Sequence, residues 1–319
     1  MTAPTHGLLS LINALRATIA PVRLVDGEQL GRALFVGSGD SLAAGLLAER
    51  FGHRAMSAGD LGWGDRLPPA FDTVVGVSHS GRTAATVRAV EAARAAGLRT
   101  VAVTARDSSS LTRAADSTIL VPTIDVDEEI PAAGYVTLAL GVLALAGTKG
   151  LKSGSGAEVA DGLAALASSA APVTDRLPAL GPDAISVLTL PDLRGAGDFW
   201  SLKLIEATGL CVRSVPLEEA GHVDYFIGPQ SHLTVHLVGE QGIDRHRRLA
   251  EALAGCGHHV LIVEAPARLT GGDPVWPEIA MATYGAHVAQ QAARRWNRSP
   301  FRGGQVPMDA RHIQLPDQH

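Results

Sequence analysis

Apolar runs of four to six residues recur along the chain, each leading into a polar or glycine-bearing turn and then a stretch of helical periodicity. In the first half the runs are 33–36, 73–77, 100–104 and 117–121. Their apolar character is continuous rather than alternating, which predicts strands buried on both faces. Between them the spacing predicts helices over 42–51, 83–96 and 109–115. A β-α-β-α-β rhythm of this kind predicts a parallel, doubly wound sheet, with ligands bound beyond the carboxyl ends of the strands. The apolar run 135–146 has 12 residues, too few to cross a bilayer, and predicts a buried helix.

The rhythm pauses between 148 and 182. Residues 148–157 are rich in Gly, Ser and Lys, 160–168 predict an Ala/Leu-rich helix, and Pro172, Pro178 and Pro182 follow. Strands are then predicted at 185–190, 233–238 and 259–264, with a turn over Arg194-Gly195-Ala196-Gly197-Asp198 leading into a helix through Glu206, and a second helix over 244–254. The halves echo one another. Gly39 and Gly197 lie 158 positions apart, whereas Glu49 and Glu206, Gly52 and Gly209, and Ser57 and Ser214 each lie 157 apart. Several matches at one offset indicate an internal duplication. The expected fold class is therefore α/β, with two tandem doubly wound parallel-sheet domains of flavodoxin-like type. The first is expected over 1–150, a linker over 151–182, the second domain over 183–298 and a tail over 299–319. That tail carries Pro300, Gly303, Gly304, Pro307 and Pro316, which predicts a wrapped arm or a disordered segment.

The most informative turn is Ser78-His79-Ser80-Gly81-Arg82-Thr83, between the predicted strand 73–77 and the helix after it. A small anion there would meet helix N-terminal N–H groups, the hydroxyls of Ser78, Ser80 and Thr83, and the charge of Arg82. The plainer reading is a strand-to-helix turn capped by Ser or Thr. The P-loop spacing is absent. The second half has Val238-Gly239-Glu240 at the equivalent place, so a phosphate seat would belong to the first half alone. Gly37-x-Gly39 departs from the dinucleotide fingerprint, with Leu42 at the third glycine position. Gly76-x-Ser78-x-Ser80 lacks the closing glycine of a nucleophile elbow.

Composition narrows the field. The chain has 319 residues, a formal charge of −5, and no basic run beyond Arg245-His246-Arg247-Arg248, which argues against a nucleic-acid partner. Two cysteines, Cys211 and Cys256, with no ligand-like neighbours suit a reducing compartment. Without a signal-peptide pattern or a membrane span, a cytoplasmic location is expected. Twelve histidines supply no H-x-x-x-H pair with a third ligand, so neither a metal nor another cofactor is expected.

The duplication and the hydroxyl turn together resemble the sugar isomerase (SIS) domain family, and within it the tandem isomerase half of glucosamine-6-phosphate synthase. The resemblance covers roughly residues 30–290. It implies that the turn with Ser38, Gly39 and Ser41 and the S-x-S-G-x-T loop with Ser78, His79, Ser80 and Thr83 hold a sugar phosphate. A second family signature is a K-L-x-E helix followed 16 residues after its Glu by a His; here these are Lys203, Glu206 and His222. Glu219 falls on the family's loop glutamate, with Glu218 as its neighbouring rival. Glu128 and Glu129 resemble, in shortened form, a loop that lines the sugar.

The implied ligand is a phosphorylated sugar or amino sugar. Isomerising it moves one proton between C1 and C2, which one carboxylate can do through an enediol without a metal. Glu206 is the expected base, His222 the expected aid to ring opening, and Lys203 a substrate contact. Glu219 is expected to orient Lys203 or His222. In related enzymes that histidine reaches a neighbouring subunit, which implies a homodimer. Two departures bear on the reaction. The chain has no glutaminase domain with a leading Cys, and its tail has no lysine, so amination is not expected. Deglycation of fructosamine phosphates and elimination of a lactyl ether from a muramic acid phosphate are alternatives on the same fold. A non-catalytic sugar-phosphate sensor is a further one, although residues 1–30 are too short for a fused helix-turn-helix.

Overall fold

The computed structural model describes residues 6–17, 30–63, 71–146, 155–169, 172–228, 231–266, 275–305 and 311–315. The chain divides into two compact units. One comprises 18–125, 133–155 and 309–319; the other comprises 1–17, 126–132 and 156–308. The first helix, α1 (His6–Ala17), thus groups with the later unit, so the units are not collinear with the boundaries drawn from the sequence.

The earlier unit holds five parallel strands: β1 (Ala33–Gly37), β2 (Arg54–Ser57), β3 (Thr73–Val77), β4 (Arg99–Thr104) and β5 (Ser117–Leu120), in the order β2-β1-β3-β4-β5. Every residue of β1 and β3 is buried, as their unbroken apolar runs require. Helix α2 (Asp40–Gly45) continues as a 3-10 turn over Leu46–Phe51, where a single helix was expected. Helices α3 (Ala58–Gly62), α4 (Ala84–Ala95) and α5 (Ser110–Ala114) pack on one face: Leu34, Val36 and Val74 meet Ala58, Leu61, Ala89 and Ala93. Helix α6 (Ala133–Ala146), apolar all round, covers β4; a Cβ at its Gly141 would lie 2.7 Å from Val103 Cγ1. Helices on both faces make this sheet doubly wound.

The later unit holds α7 (Ser155–Ala167) and four parallel strands: β6 (Ala184–Thr189), β7 (Cys211–Pro216), β8 (His232–Val238) and β9 (His259–Glu264). Their order, β7-β6-β8-β9, repeats that of the first four strands of the other sheet. Helices α9 (Leu217–Val223) and α10 (Ile243–Gly255) share a core with Leu188 and Val215. Helix α8 (Arg194–Thr208) packs closely on α11 (Val275–Arg295): Trp200 is fully buried, its Nε1–H donates to the Met281 carbonyl at 2.7 Å, and Gly285 has no Cβ to obstruct it.

The equivalences read at a common offset fare unequally. Gly52 and Gly209 both cap a helix in the left-handed region, at φ +82° and +67°. Gly39 and Gly197 are not equivalent: Gly39 is a turn residue at φ +57°, while Gly197 lies inside α8. The segment 194–198, read as a turn before a helix, is the helix's own first turns. Its glycine serves close packing, since a Cβ at 197 would lie 2.6 Å from Thr189 Cγ2.

The later unit also buries an unusual set of histidines. His236 Nδ1 and His246 Nδ1 lie 3.3 Å apart, and His232 Nε2 lies 3.0 Å from Ser186 Oγ. Burial pushes His236 down to about 3 and His232, His246 and His287 down to about 4, with the charge of Arg245 adding to the first pair. Each is therefore neutral when folded and takes up a proton near pH 6.5 only on unfolding. Their stabilising contribution is complete above about pH 6.5 and is lost as the pH falls towards 4. The expected result in a melting series is a flat plateau at neutral pH and a fall from pH 6.5 downwards, steepened by up to about 1.4 kcal/mol per pH unit for each histidine. A His236→Leu/His246→Leu variant should show a shallower acid limb. An unchanged limb would remove this pair from the account.

Candidate functional site

In the five-stranded unit the sequence-predicted binding residues gather at the carboxyl ends of β1 and β3. After β1, Ser38 accepts from the Ser41 N–H at 3.2 Å and Gly39 begins α2, with Ser38 and Ser41 half-buried. After β3, Ser78 is buried, and its hydroxyl lies 3.1 Å from that of Thr83, the residue at the N-terminus of α4. The Thr83 hydroxyl is engaged there rather than in capping the helix, and helix-start N–H groups have no intrahelical partners of their own. The Ser80 hydroxyl accepts from the Arg82 N–H at 3.3 Å.

The turn is held by backbone contacts to β4 and the loop after it. The Ser78 N–H donates to Val103 O at 3.0 Å, the Ala105 N–H to His79 O at 3.1 Å, and the Leu111 N–H to Gly81 O at 2.9 Å. Gly81 sits at φ +63°, and a Cβ there would run into the side chain of Ser109. Both the conformation and the space demand glycine. His79 is half-buried beside Gly134, at the start of α6. Burial lowers its pKa, the charge of Arg106 lowers it further, and Asp40 opposes both. It is thus the neutral imidazole at pH 7.

Sequence reasoning missed part of this site. A cavity of about 410 Å³ opens beside the turn, lined by His79, Ser80 and Arg82 and by the loop after β4 with Arg106, Asp107 and Ser109. Arg106 lies beyond the carboxyl end of β4, where ligands of such sheets also bind, but no motif in the sequence marks it. The tail also arrives here. Gln314 pairs with Thr83 in an antiparallel bridge, the Leu315 N–H donates to Arg82 O at 2.8 Å, and Leu315 packs on the apolar cluster of Val87, Val90 and Leu111. Residues 311–315 are therefore a wrapped arm laid against the turn.

In the four-stranded unit, Lys203 and Glu206 stand one turn apart on α8. Lys203 is 1% exposed, and its Nζ donates to both Glu206 carboxylate oxygens at 3.0 and 3.2 Å, while the Glu206 side chain is 30% exposed. The ammonium also lies 4.9 Å from the Phe199 ring centre. A buried cation thus holds a carboxylate that water and ligand can reach. His222 and Glu219 lie on α9, both exposed. Glu218, the rival to Glu219, is committed to Arg245 at 2.8 Å, whose hydrogen bond lowers its pKa. Glu128 accepts from the Ala132 N–H, and Glu129 accepts from Gln290 and Arg294 at 2.6 and 2.8 Å, so both are tied within this unit. Glu49 accepts from the Ala55 N–H at 3.2 Å, as a structural helix residue does. Among the described residues no helix is long and apolar enough to cross a membrane.

Residues 69–145, which contain β3, the hydroxyl turn and α4 through α6, match the SIS domain family. The fold is shared with solved structures of low sequence identity. One is the C-terminal domain of glucosamine-fructose-6-phosphate aminotransferase from Francisella tularensis: 13% identity, 92% of this chain and 95% of that one, TM-score 0.74. A second is glucosamine-6-phosphate deaminase from Thermotoga maritima: 18% identity, 95% and 98% coverage, TM-score 0.69. A third is tagatose-6-phosphate ketose/aldose isomerase from Escherichia coli: 20% identity, 98% and 94% coverage, TM-score 0.67. No curated protein sequence matches this chain.

The turn's dependence on glycine gives a direct test. Gly81→Ala is expected to weaken binding of fructose 6-phosphate at least tenfold by calorimetry, because the loop must shift away from Ser109. Undiminished binding would show that the turn does not hold the ligand.

Proposed function

We propose that the protein is a sugar-phosphate aldose–ketose isomerase that works through an enediol intermediate. The observation that carries this reading is the Ser78–Thr83 turn, a buried and a half-buried hydroxyl paired at a helix N-terminus within the segment that matches the SIS family. The three similar structures are all named for hexose 6-phosphates or their amino derivatives, which supports a ligand of that class. The strand order common to the two sheets supports a tandem pair of SIS domains, one built on each sheet.

In this mechanism the phosphate is held by Ser38, Gly39, Ser41, Ser78, His79, Ser80 and Thr83, which fixes the sugar chain by its far end. Glu206 takes the proton from one of C1 and C2 and returns it to the other. Lys203, fixed within reach of the carboxylate, stabilises the negative charge that builds on the enediolate. His222 moves a proton between O1 and O5 to open the ring, and Glu219 orients it. Val223, Tyr225 and Phe226 next to His222 are 51%, 49% and 81% exposed, an apolar patch that supports a homodimer with His222 at its interface. Exposed, unpaired Cys211 and Cys256 support a cytoplasmic setting, and no cofactor enters the chemistry.

Two outcomes are expected. Wild-type protein should exchange solvent deuterium into C1 or C2 of fructose 6-phosphate, glucose 6-phosphate or glucosamine 6-phosphate by NMR, and Glu206→Gln should abolish exchange while retaining binding. A lower melting point is expected for that variant, since Lys203 stays buried opposite a neutral partner, at a cost of about 2 kcal/mol. Binding without exchange in the wild type would favour the sensor; release of an amine from an added fructosamine phosphate would favour the deglycase, and release of lactate from an added muramic acid phosphate would favour the lyase. Separately, Phe226→Glu should shift the sedimentation of the protein from dimer to monomer. A dimer undisturbed by that change would place the interface elsewhere.

A further inference from the structure

His222 lies near the end of α9, and its side chain is exposed. The backbone of α9, rather than packing around the imidazole, therefore sets its place. That helix has seven residues, too few to hold its shape by its own hydrogen bonds. Two arginines from neighbouring elements clamp it instead. Near its start, Arg245 of α10 donates three hydrogen bonds to the Glu218 carboxylate, at 2.8, 2.9 and 3.2 Å. At its end the capping residue is Asp224, whose N–H donates to the Ala220 carbonyl. The Asp224 side chain is fully buried, and its carboxylate accepts from Arg213 on the edge strand β7.

This second clamp belongs to a closed circuit. Arg213 lies beside Ser186 in the register of β7 with β6, and its Nε–H donates to the Ser186 hydroxyl at 3.2 Å. That hydroxyl lies 3.0 Å from His232 Nε2 on β8. The His232 ring stands 4.9 Å from that of His258, whose Nε2–H donates to the Ile227 carbonyl at 3.4 Å. The Ile227 N–H donates in turn to the Asp224 carbonyl at 3.0 Å. The end of α9 and the turn after it are thus tied to three strands of the sheet. Burial holds His232 down at about 4, so it is neutral at pH 7 and brings no charge. Among the described residues, Arg213 is the cation paired with Asp224.

We propose that Arg213 and Asp224 are positioning residues for His222, holding it where it moves a proton during ring opening. The inference rests on the reading of His222 as the ring-opening residue and adds what places it. A carboxylate buried without its cation is strongly disfavoured, and the end of α9 relieves that strain by turning outward until Asp224 meets water. His222, two residues earlier, moves with it. A displacement of about 1 Å at a reacting group costs up to about a hundredfold in rate.

The test is a double-mutant cycle on ring opening alone, read by NMR as the protein-catalysed rate of exchange between the two anomers of glucose 6-phosphate. Arg213→Ala is expected to slow this exchange by about tenfold or more, and Arg213→Lys to restore part of it. In a His222→Ala background the Arg213→Ala change should have no further effect, because Arg213 acts through His222. Arg213→Ala/Asp224→Asn loses the same tie without leaving a buried charge, so it carries both expectations even where Arg213→Ala alone fails to fold. Equal slowing with and without His222 shows a general structural role and overturns the proposal, as does exchange that neither variant slows; both leave the ring-opening reading standing. Wild-type protein that does not speed the exchange, or a His222→Ala variant that speeds it equally well, overturns that reading and the proposal with it.

Discussion

The candidate binding site depends on one close approach: the backbone of Gly81 against the side chain of Ser109. That contact is open only to a residue without a Cβ and in the left-handed region, and Gly81 meets both conditions. Because the turn cannot move away from the loop after β4, the Ser78 and Thr83 hydroxyls keep their mutual distance, and His79 and Arg106 stay within electrostatic reach of one another. The backbone hydrogen bonds from Ala105 and Leu111 then hold the turn, so its polar groups are ordered without any ligand present. The tail adds a last layer, docking through Gln314 and Leu315 on the same turn.

The proposed chemistry rests on a different constraint, in the other unit. A lysine buried to 1% exposure is tolerated only with a partner, and here Glu206 supplies it. The pair is asymmetric: the cation is enclosed and the carboxylate is partly open. A carboxylate held this way has a fixed direction and a nearby charge that would favour an enediolate over its neutral parent. The close packing of α8 against α11, through Trp200 and Gly285, keeps the helix bearing the pair in place.

Much of this was legible in the sequence, for a physical reason. Central parallel strands are apolar on both faces, so β3 could be read to the residue and β1, β4, β6 and β8 to within one or two positions; β9, an edge strand, was legible through its apolar run Val260–Val263. The edge strands β2 and β7 escaped notice because they are half-exposed, with charged and polar residues such as Arg54 and Arg213 along them. The glycines at 195 and 197 misled, since sequence alone does not tell a turn glycine from one that admits a neighbouring side chain to a helix. The hydroxyl turn was found because residue types and their order after a strand carry its chemistry. Arg106 was not, because its place beside His79 comes from strand order β3-β4, a tertiary fact. The grouping of α1 with the later unit was likewise beyond any local pattern.

The central claim is that the turn after β3 holds the phosphorylated end of the ligand, and backbone amide shifts test it most directly. In a titration of isotope-labelled protein with fructose 6-phosphate, the account predicts saturable shifts centred on the N–H groups of Ser80, Gly81, Arg82 and Thr83 and the first turn of α4. Saturable binding whose shifts leave those amides unmoved would contradict it.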